Sequence, residues 1–310
     1  MKTVDKKFTF KEKFNMTLQE MKNKKALYLM MTPFLVLFFT FTILPVAISM
    51  FLSFTNFDMI QSPQFVWFDN YIFLLFEDDV FQIALKNTLI LAVITGPVSY
   101  LLAFFFAWVI NELPRKLRLF MTLVFYAPSI SGNVFMLWAL IFSSDMYGYL
   151  NAILMNLGII VKPIQWLTTA DYILPIVIIV QLWLSLGVSF LAFIAGLQKV
   201  DKTLYEAAAI DGIRNRWQEL WFVTLPQMKP MLMFGAIMQI TSSLSIGSVS
   251  ASLCGNPSVE YAGHTILLHL LDYGSTKMEM GYASAIATVL FVMMIACNLL
   301  VQKILRRVGH

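Results

Sequence analysis

Apolar positions gather into six long stretches along the chain, at 26–52, 84–110, 119–142, 172–196, 230–252 and 283–302, with shorter polar segments between them. An α-helix needs about 20 apolar residues to cross roughly 30 Å of hydrocarbon. Each stretch therefore predicts one transmembrane helix, and the fold class is all-α: a polytopic membrane protein with six transmembrane helices. Residues 1–25 form a segment ahead of the first span, and 26–310 form one six-span domain. Within the first segment Phe10, Phe14, Leu18 and Met21 recur at helical spacing among lysines. That reads either as a helix lying on an anionic leaflet or as a partly disordered tail.

Composition narrows the function. Of the 310 residues 59% are hydrophobic and 13% charged, about half the quarter found in soluble domains, which excludes an ordinary soluble enzyme. Cys254 and Cys297 are too few and too embedded in apolar sequence for a disulfide framework or a metal cluster. The N-terminal cationic part, followed by a stretch long enough to span, predicts no cleavable signal. The net charge of +4 is no nucleic-acid signature, because the 22 cationic residues divide by membrane side. Nineteen fall in 1–25, 111–118, 197–230 and 303–310, against Lys86, Lys162 and Lys277 elsewhere. By the positive-inside rule both termini and the 197–230 loop are cytoplasmic, in a multi-pass protein of a bacterial cell membrane. The opposite loops lean acidic, with Asp58, Asp69, Glu77, Asp78 and Asp79 between the first two spans.

Several spans carry helix breakers: Pro33 and Pro45, Gly96-Pro97, and Pro128 with Gly132. These mark either a pathway, where freed backbone groups face a wet cavity, or plain packing kinks. No charged residue stands near the middle of a span, which argues against ion-driven pumping. No phosphate-binding Gly-x-x-x-x-Gly-Lys-Ser/Thr loop and no Ser-His-Asp or Cys-His constellation stands out, so the chain is not expected to hydrolyse ATP or to be an enzyme. His264 and His269, five residues apart in a stretch assigned to the outside, read as loop or surface residues.

The 34-residue loop from Leu197 to Pro230 is the most structured polar segment. Thr203-Leu204-Tyr205-Glu206 has the form of a capping box. A short helix should begin there, continue through Ala207, Ala208 and Ala209, and stop at Gly212. Trp217, Leu220, Trp221 and Leu225 then recur at helical spacing and predict an amphipathic helix at the inner membrane boundary, ended by Pro226. A helix, glycine turn and second helix outside the membrane fit a docking element better than a plain connector.

Glu206-Ala207-Ala208-Ala209-Ile210-Asp211-Gly212, followed by Leu225-Pro226, resembles the EAA signature of the membrane subunits of binding-protein-dependent ABC importers. The likeness runs over nearly the whole chain and is nearest to sugar permeases of the maltose and glycerol-3-phosphate type. It is carried by Ser53 to Asp58, Asn70-Tyr71, Asn87-Thr88, Gly148 and Asn151, Trp166-Leu167, Gly196-Leu197-Gln198, and Gly281 to Ala285. One departure stands out: the stretch Ile213 to Thr224 is one residue longer than is usual in that family, which is expected to enlarge the turn before Trp217.

The resemblance implies a MetI-like permease fold, alternating access, and no cofactor on this chain, with ATP and Mg held by a separate cytoplasmic ATPase dimer. It also implies a second homologous permease, an extracellular solute-binding protein and lipid as partners, and no nucleic acid. Glu206 would cap its helix or contact the ATPase, Ala207 and Ala208 would pack closely, and Gly212 would set the turn; Asp211, Leu225 and Pro226 complete the coupling set. Polar groups inside spans are costly and turn inward. They nominate Gln181, Ser185 and Ser189 in the fourth span and Gln239, Thr241, Ser242, Ser243 and Ser245 in the fifth as substrate-pathway residues, with Trp138 and Trp183 for sugar faces. Helix packing by Ser and Thr and interfacial placement of Trp are the competing readings. The functional alternative is an ion-coupled secondary carrier or a channel for a small polar solute, with an integral-membrane enzyme a third reading.

Overall fold

The computed structural model describes residues 24–132 and 134–307; the helix-spaced Phe10, Phe14, Leu18 and Met21 lie outside them. Among the described residues five helical stretches are long and apolar enough to cross a membrane, and a pair bent by 84° makes six when it is counted as one broken span. They are α1 (Lys25–Leu52), α2 (Asp79–Asn111), the pair α3 (Arg115–Ile130) and α4 (Phe135–Ile141), and, after a short α5 (Tyr149–Asn156), the broken span α6 (Ala170–Leu184) and α7 (Val188–Lys199). The polar loop follows with α8 (Lys202–Ile210) and α9 (Arg216–Glu219). The fifth span is α10 (Leu225–Leu244) with α11 (Ser248–Cys254). A short α12 (Ile266–Leu271) then precedes α13 (Met280–Arg307).

Helix α2 is the hub. Its inner face contributes to three apolar clusters: Leu91 with Ile173, Val177 and Val249; Ala103 and Ala107 with Phe190 and Phe193; and Phe81 with Leu244, Ile266 and Ile286. In lipid, apolar burial between helices gives little driving force, so close approach through small residues does the packing. Gly235 of α10 lies against Phe193 of α7 so tightly that a Cβ there would run into the ring, and Gly196 faces Met231 in the same way. Helix α1 has no buried residue, and its C-terminal part, Leu44–Leu52, packs along α13.

Breaks and widened turns follow local chemistry. Pro33, Pro97 and Pro128 remain inside their helices. The chain breaks instead at Ser131, at Ser185–Gly187 and at Ser245–Gly247. Two π turns, Phe39–Ile43 and Leu220–Thr224, each stand immediately before a Leu-Pro pair, Leu44-Pro45 and Leu225-Pro226. A proline ring collides with the carbonyl four residues back, here Phe41 and Phe222, and a wider turn moves that carbonyl aside. The helix consequently runs on through Pro226 and Pro230 rather than ending at Pro226.

Two ends of the bundle are distinct. At one, the basic face, Asn111, Arg118, Gln198, Lys202 and Arg216 surround one cavity. At the other, Asp78, Asn87, His264, His269 and Tyr282 interlock.

Candidate functional site

The loop on the basic face is built as two capped helices. Helix α8 starts at Asp201, whose carboxylate accepts the Thr203 N–H at 3.0 Å. This corrects the expectation that Thr203 and Glu206 form the cap: Asp201 offers the stronger acceptor two residues earlier, and Thr203 falls inside the helix. The box-like pairing occurs at α9, where Asn215 Oδ1 accepts from Gln218 N at 2.8 Å and Gln218 Oε1 accepts from Arg214 N at 3.0 Å. Gly212 ends the first helix with φ +94°, which lets Ile213 N reach back to Ala208 O at 3.0 Å. Of the nine residues of α8 only Ala208 is buried. Glu206, Ala207, Asp211 and Gly212 are exposed, and Ile210 is 87% exposed. Leu225 is half-buried and Pro226 exposed. Between Gly212 and Leu225 the chain runs through a turn, α9 and the π turn at Leu220–Thr224.

A second feature lies where the broken spans meet. A cavity of about 250 Å³ is lined by Ser185, Gly187, Val188 and Ser189 of the fourth span, Gln239 and Ser242 of the fifth, and Tyr126 and Ser129 of α3. The break in the fourth span follows 15 residues of α6 and precedes 12 of α7. At about 1.5 Å per residue that is near mid-membrane depth. Ser189 Oγ donates to Gly235 O at 3.1 Å and lies 3.4 Å from Gln239 Oε1, which leaves the Gln239 amide nitrogen with no hydrogen bond among the described residues. No charged side chain lines this cavity.

The structure divides the nominated polar residues. Ser185, Ser189, Gln239 and Ser242 converge on the cavity. Ser243 is buried on the adjoining face of α10, toward α2, where its hydroxyl lies against Gly96 and donates to Ile240 O. Thr241 is exposed and bonds Ile237 O, and Gln181 is buried away from the cavity. Trp183 lines an apolar groove with Phe125 and Pro128, and Trp138 packs edge-on against it at 5.4 Å. Tyr126, Ser129 and Gly187 were not nominated. Ser129 stands in Pro128-Ser129-Ile130-Ser131-Gly132, and Gly187 in a Leu-Ser-Leu-Gly run that returns as Leu-Ser-Ile-Gly at 244–247, so a signal for both was present.

The opposite face corrects the reading of His264 and His269 as surface residues: they are 0% and 2% exposed. Asp78 Oδ2 accepts from Tyr282 OH at 2.6 Å and lies 3.0 Å from His269 Nε2, while its Oδ1 accepts from Phe81 N. His264 Nε2 lies 3.3 Å from His269 Nδ1. Burial would raise the Asp78 carboxyl, but the bonds from His269, Tyr282 and Phe81 N–H outweigh it and hold the group well below the usual carboxylate range. Burial, reinforced by His269, pushes His264 down to about 4. Asn87 reaches the carbonyls of Tyr261, Ala262 and His264, and Asn70 those of Ser53 and Thr55. Asn151 ties Ser143, Asp145, Ile164 and Trp166 together. Gly281 leaves no room for a Cβ beside the Thr55 carbonyl. Asn70, Asn87, Asn151 and Gly281, among the residues that carried the family likeness, are thus joints of the structure away from the basic face.

Residues 99–310 match the family model of the binding-protein-dependent transport system inner membrane component. The chain belongs to that family. It is 32% identical over 286 residues to a probable ABC transporter permease protein, YesP, of Bacillus subtilis (strain 168), covering 91% of each chain. It is 30% identical over 287 residues to the arabinooligosaccharides transport system permease protein AraP of the same strain, covering 91% of this chain and 88% of AraP. Among solved structures, a bacterial ABC transporter involved in import of the acidic polysaccharide alginate superposes with TM-score 0.74 at 24% identity, over 95% of this chain and 99% of that one. The permease fold expected from the sequence is therefore the observed one, and the chain is a transport subunit rather than an enzyme.

Proposed function

We propose that this permease forms part of the pathway by which an ATP-driven importer carries a neutral sugar or oligosaccharide across the bacterial cell membrane. The cavity at the broken spans carries the reading. Its hydroxyls and the uncommitted Gln239 amide suit sugar hydroxyls, and the absence of any charge in its lining suits a neutral solute rather than an acidic one. The same absence leaves a proton-coupled carrier without a titratable carboxyl or imidazole in the cavity.

In this reading the basic face is cytoplasmic and both termini lie there. Helix α8 docks on one subunit of a cytoplasmic ATPase dimer through Glu206, Ala207, Ile210 and Asp211, with ATP and Mg bound by that partner. Its nearly unburied surface supports that role. A second homologous permease completes the pathway, α1 faces lipid or that permease, and an extracellular solute-binding protein delivers the sugar to the opposite face. The test is affinity capture of the solubilised permease with its native partners, reconstitution, and uptake of labelled arabinotriose, lactose and alginate trisaccharide with and without ATP. ATP-dependent uptake of a neutral sugar, reduced by Gln239→Leu while the ATPase still co-purifies, is expected. Uptake that follows an ion gradient in ATPase-free vesicles would overturn the reading.

A further inference from the structure

The loop is joined covalently to the fourth and fifth spans, and its side chains also reach a third, α2. Arg216, the first residue of α9, places Nη2 3.1 Å from Glu112 Oε2, just beyond the end of α2, and Nη1 2.7 Å from Glu219 Oε2 on its own helix. One residue on, Trp217 meets Trp108 of α2 with ring centroids 5.3 Å apart. Beneath this bridge is a polar cavity of about 540 Å³. Helix α8 is tied across to the α9 side through Tyr205 OH and Thr224 Oγ1, 3.0 Å apart. The loop therefore behaves as an arm, α8, hinged at Gly212 to a base, α9, which is clamped on the end of α2 over a hollow. Helix α2 in turn contributes Gly96, Pro97 and Tyr100 to a groove shared with Gln239 and Ser243 of α10.

We infer that Glu112 and Arg216 are positioning residues for energy coupling: their ion pair makes α2 move with the loop, so that displacement of α8 reaches the cavity along α2 as well as along α10. The inference rests on the proposed docking of α8 to an ATPase. Both side chains are partly solvated, at 45% and 63% exposed, so the pair adds little to stability; an exposed ion pair shifts an equilibrium by no more than a few-fold. Its value is in orientation, since it fixes which face of α9 meets α2.

The test uses the complete transporter, with Cys254 and Cys297 replaced by serine and a reporter Ser242→Cys in the cavity. Labelling of the reporter by a membrane-impermeant maleimide is measured with and without ATP plus vanadate, beside ATPase content and activity. Glu112→Gln and Arg216→Gln are each expected to retain the ATPase but to cut the ATP-driven change in labelling about three-fold. Glu219→Gln, which removes only the contact within α9, is expected to leave it unchanged. The reversed pair Glu112→Arg with Arg216→Glu, made with Glu219→Gln to avoid a new repulsion, is expected to restore it. An unaltered labelling response in both single variants, or a reversed pair no better than either alone while the ATPase remains bound, overturns the inference. Failure of the native chain to retain any ATPase would instead overturn the docking on which it rests.

Discussion

Gly212 separates backbone demand from side-chain contact in a way an experiment can read. Its φ is +94°, and a Cβ built there meets nothing within 4 Å. In this chain alone, any side chain fits; the penalty comes from the left-handed backbone, about 1–2 kcal/mol for an ordinary L-residue. Asn tolerates that region through local hydrogen bonding, and a β-branched residue tolerates it least. A penalty of this size corresponds to a factor of about 5–30 in the population of the correct turn. Asn and Val are close in size, so the pair controls for bulk against a docked partner. With the reconstituted transporter, Gly212→Asn is expected to transport near the wild-type rate, Gly212→Ala to fall between, and Gly212→Val to fall by about 5–30-fold with normal membrane insertion. Equal rates for Val and Asn would refute the argument from φ, and equally poor rates for both would mean that space against the partner governs the position.

The interlocked face predicts a pH dependence. His264 is held neutral down to about 4 against an ordinary value of 6.5, so the unfolded chain takes up a proton first and thermal stability in detergent should fall as pH drops from 6.5 toward 4. Asp78, held low by its three donors, adds a further fall below the ordinary carboxylate range, and Tyr282→Phe should weaken that limb; a flat profile in the native protein would contradict both. At the α7–α10 crossing, Gly235→Ala drives a methyl into the Phe193 ring and should cost about 1–3 kcal/mol by overpacking. The loss should appear as a lower melting temperature and be partly recovered by Phe193→Leu in the same chain.

The spans were legible because twenty apolar residues in a row have few alternatives, and the Gly212 turn because a glycine directly after a helix-forming run is the usual left-handed C-terminal stop. The cap of α8 was misread because Asp201 and Thr203 are both good cap residues two positions apart, and only the backbone decides between them. The polar residues of the fourth and fifth spans were found but not sorted: Gln239, Ser242 and Ser243 are neighbours in sequence, and the roughly 100° turned per residue puts Ser242 on the cavity, Ser243 on the groove beside α2, and Gln239 between them where it borders both. The cluster of Asp78, His269 and Tyr282 was illegible because its bonds join positions 191 and 204 residues apart. Nothing local distinguishes such a histidine from one in a loop.

These two ends of the bundle differ in what it costs to disturb them. On the opposite face, displacing the 255–279 segment strips Asn87 of three carbonyls and deprives the buried Asp78 carboxylate of His269, leaving Tyr282 of α13 and the Phe81 N–H as its partners. Each such loss costs about 1–3 kcal/mol, more for the charged group. On the basic face, the loop buries Ala208, Leu220, Val223 and Thr224, and its polar and aromatic links to α2 are a solvated ion pair and a tryptophan pair beside a polar hollow. A force applied at α8 therefore meets little resistance where it enters and much at the far end. The least costly response is rotation of the basic ends of α2, α7 and α10 about a fixed opposite face. The breaks at Ser185–Gly187 and Ser245–Gly247 lie between the two, where a bend requires the fewest backbone hydrogen bonds to be broken.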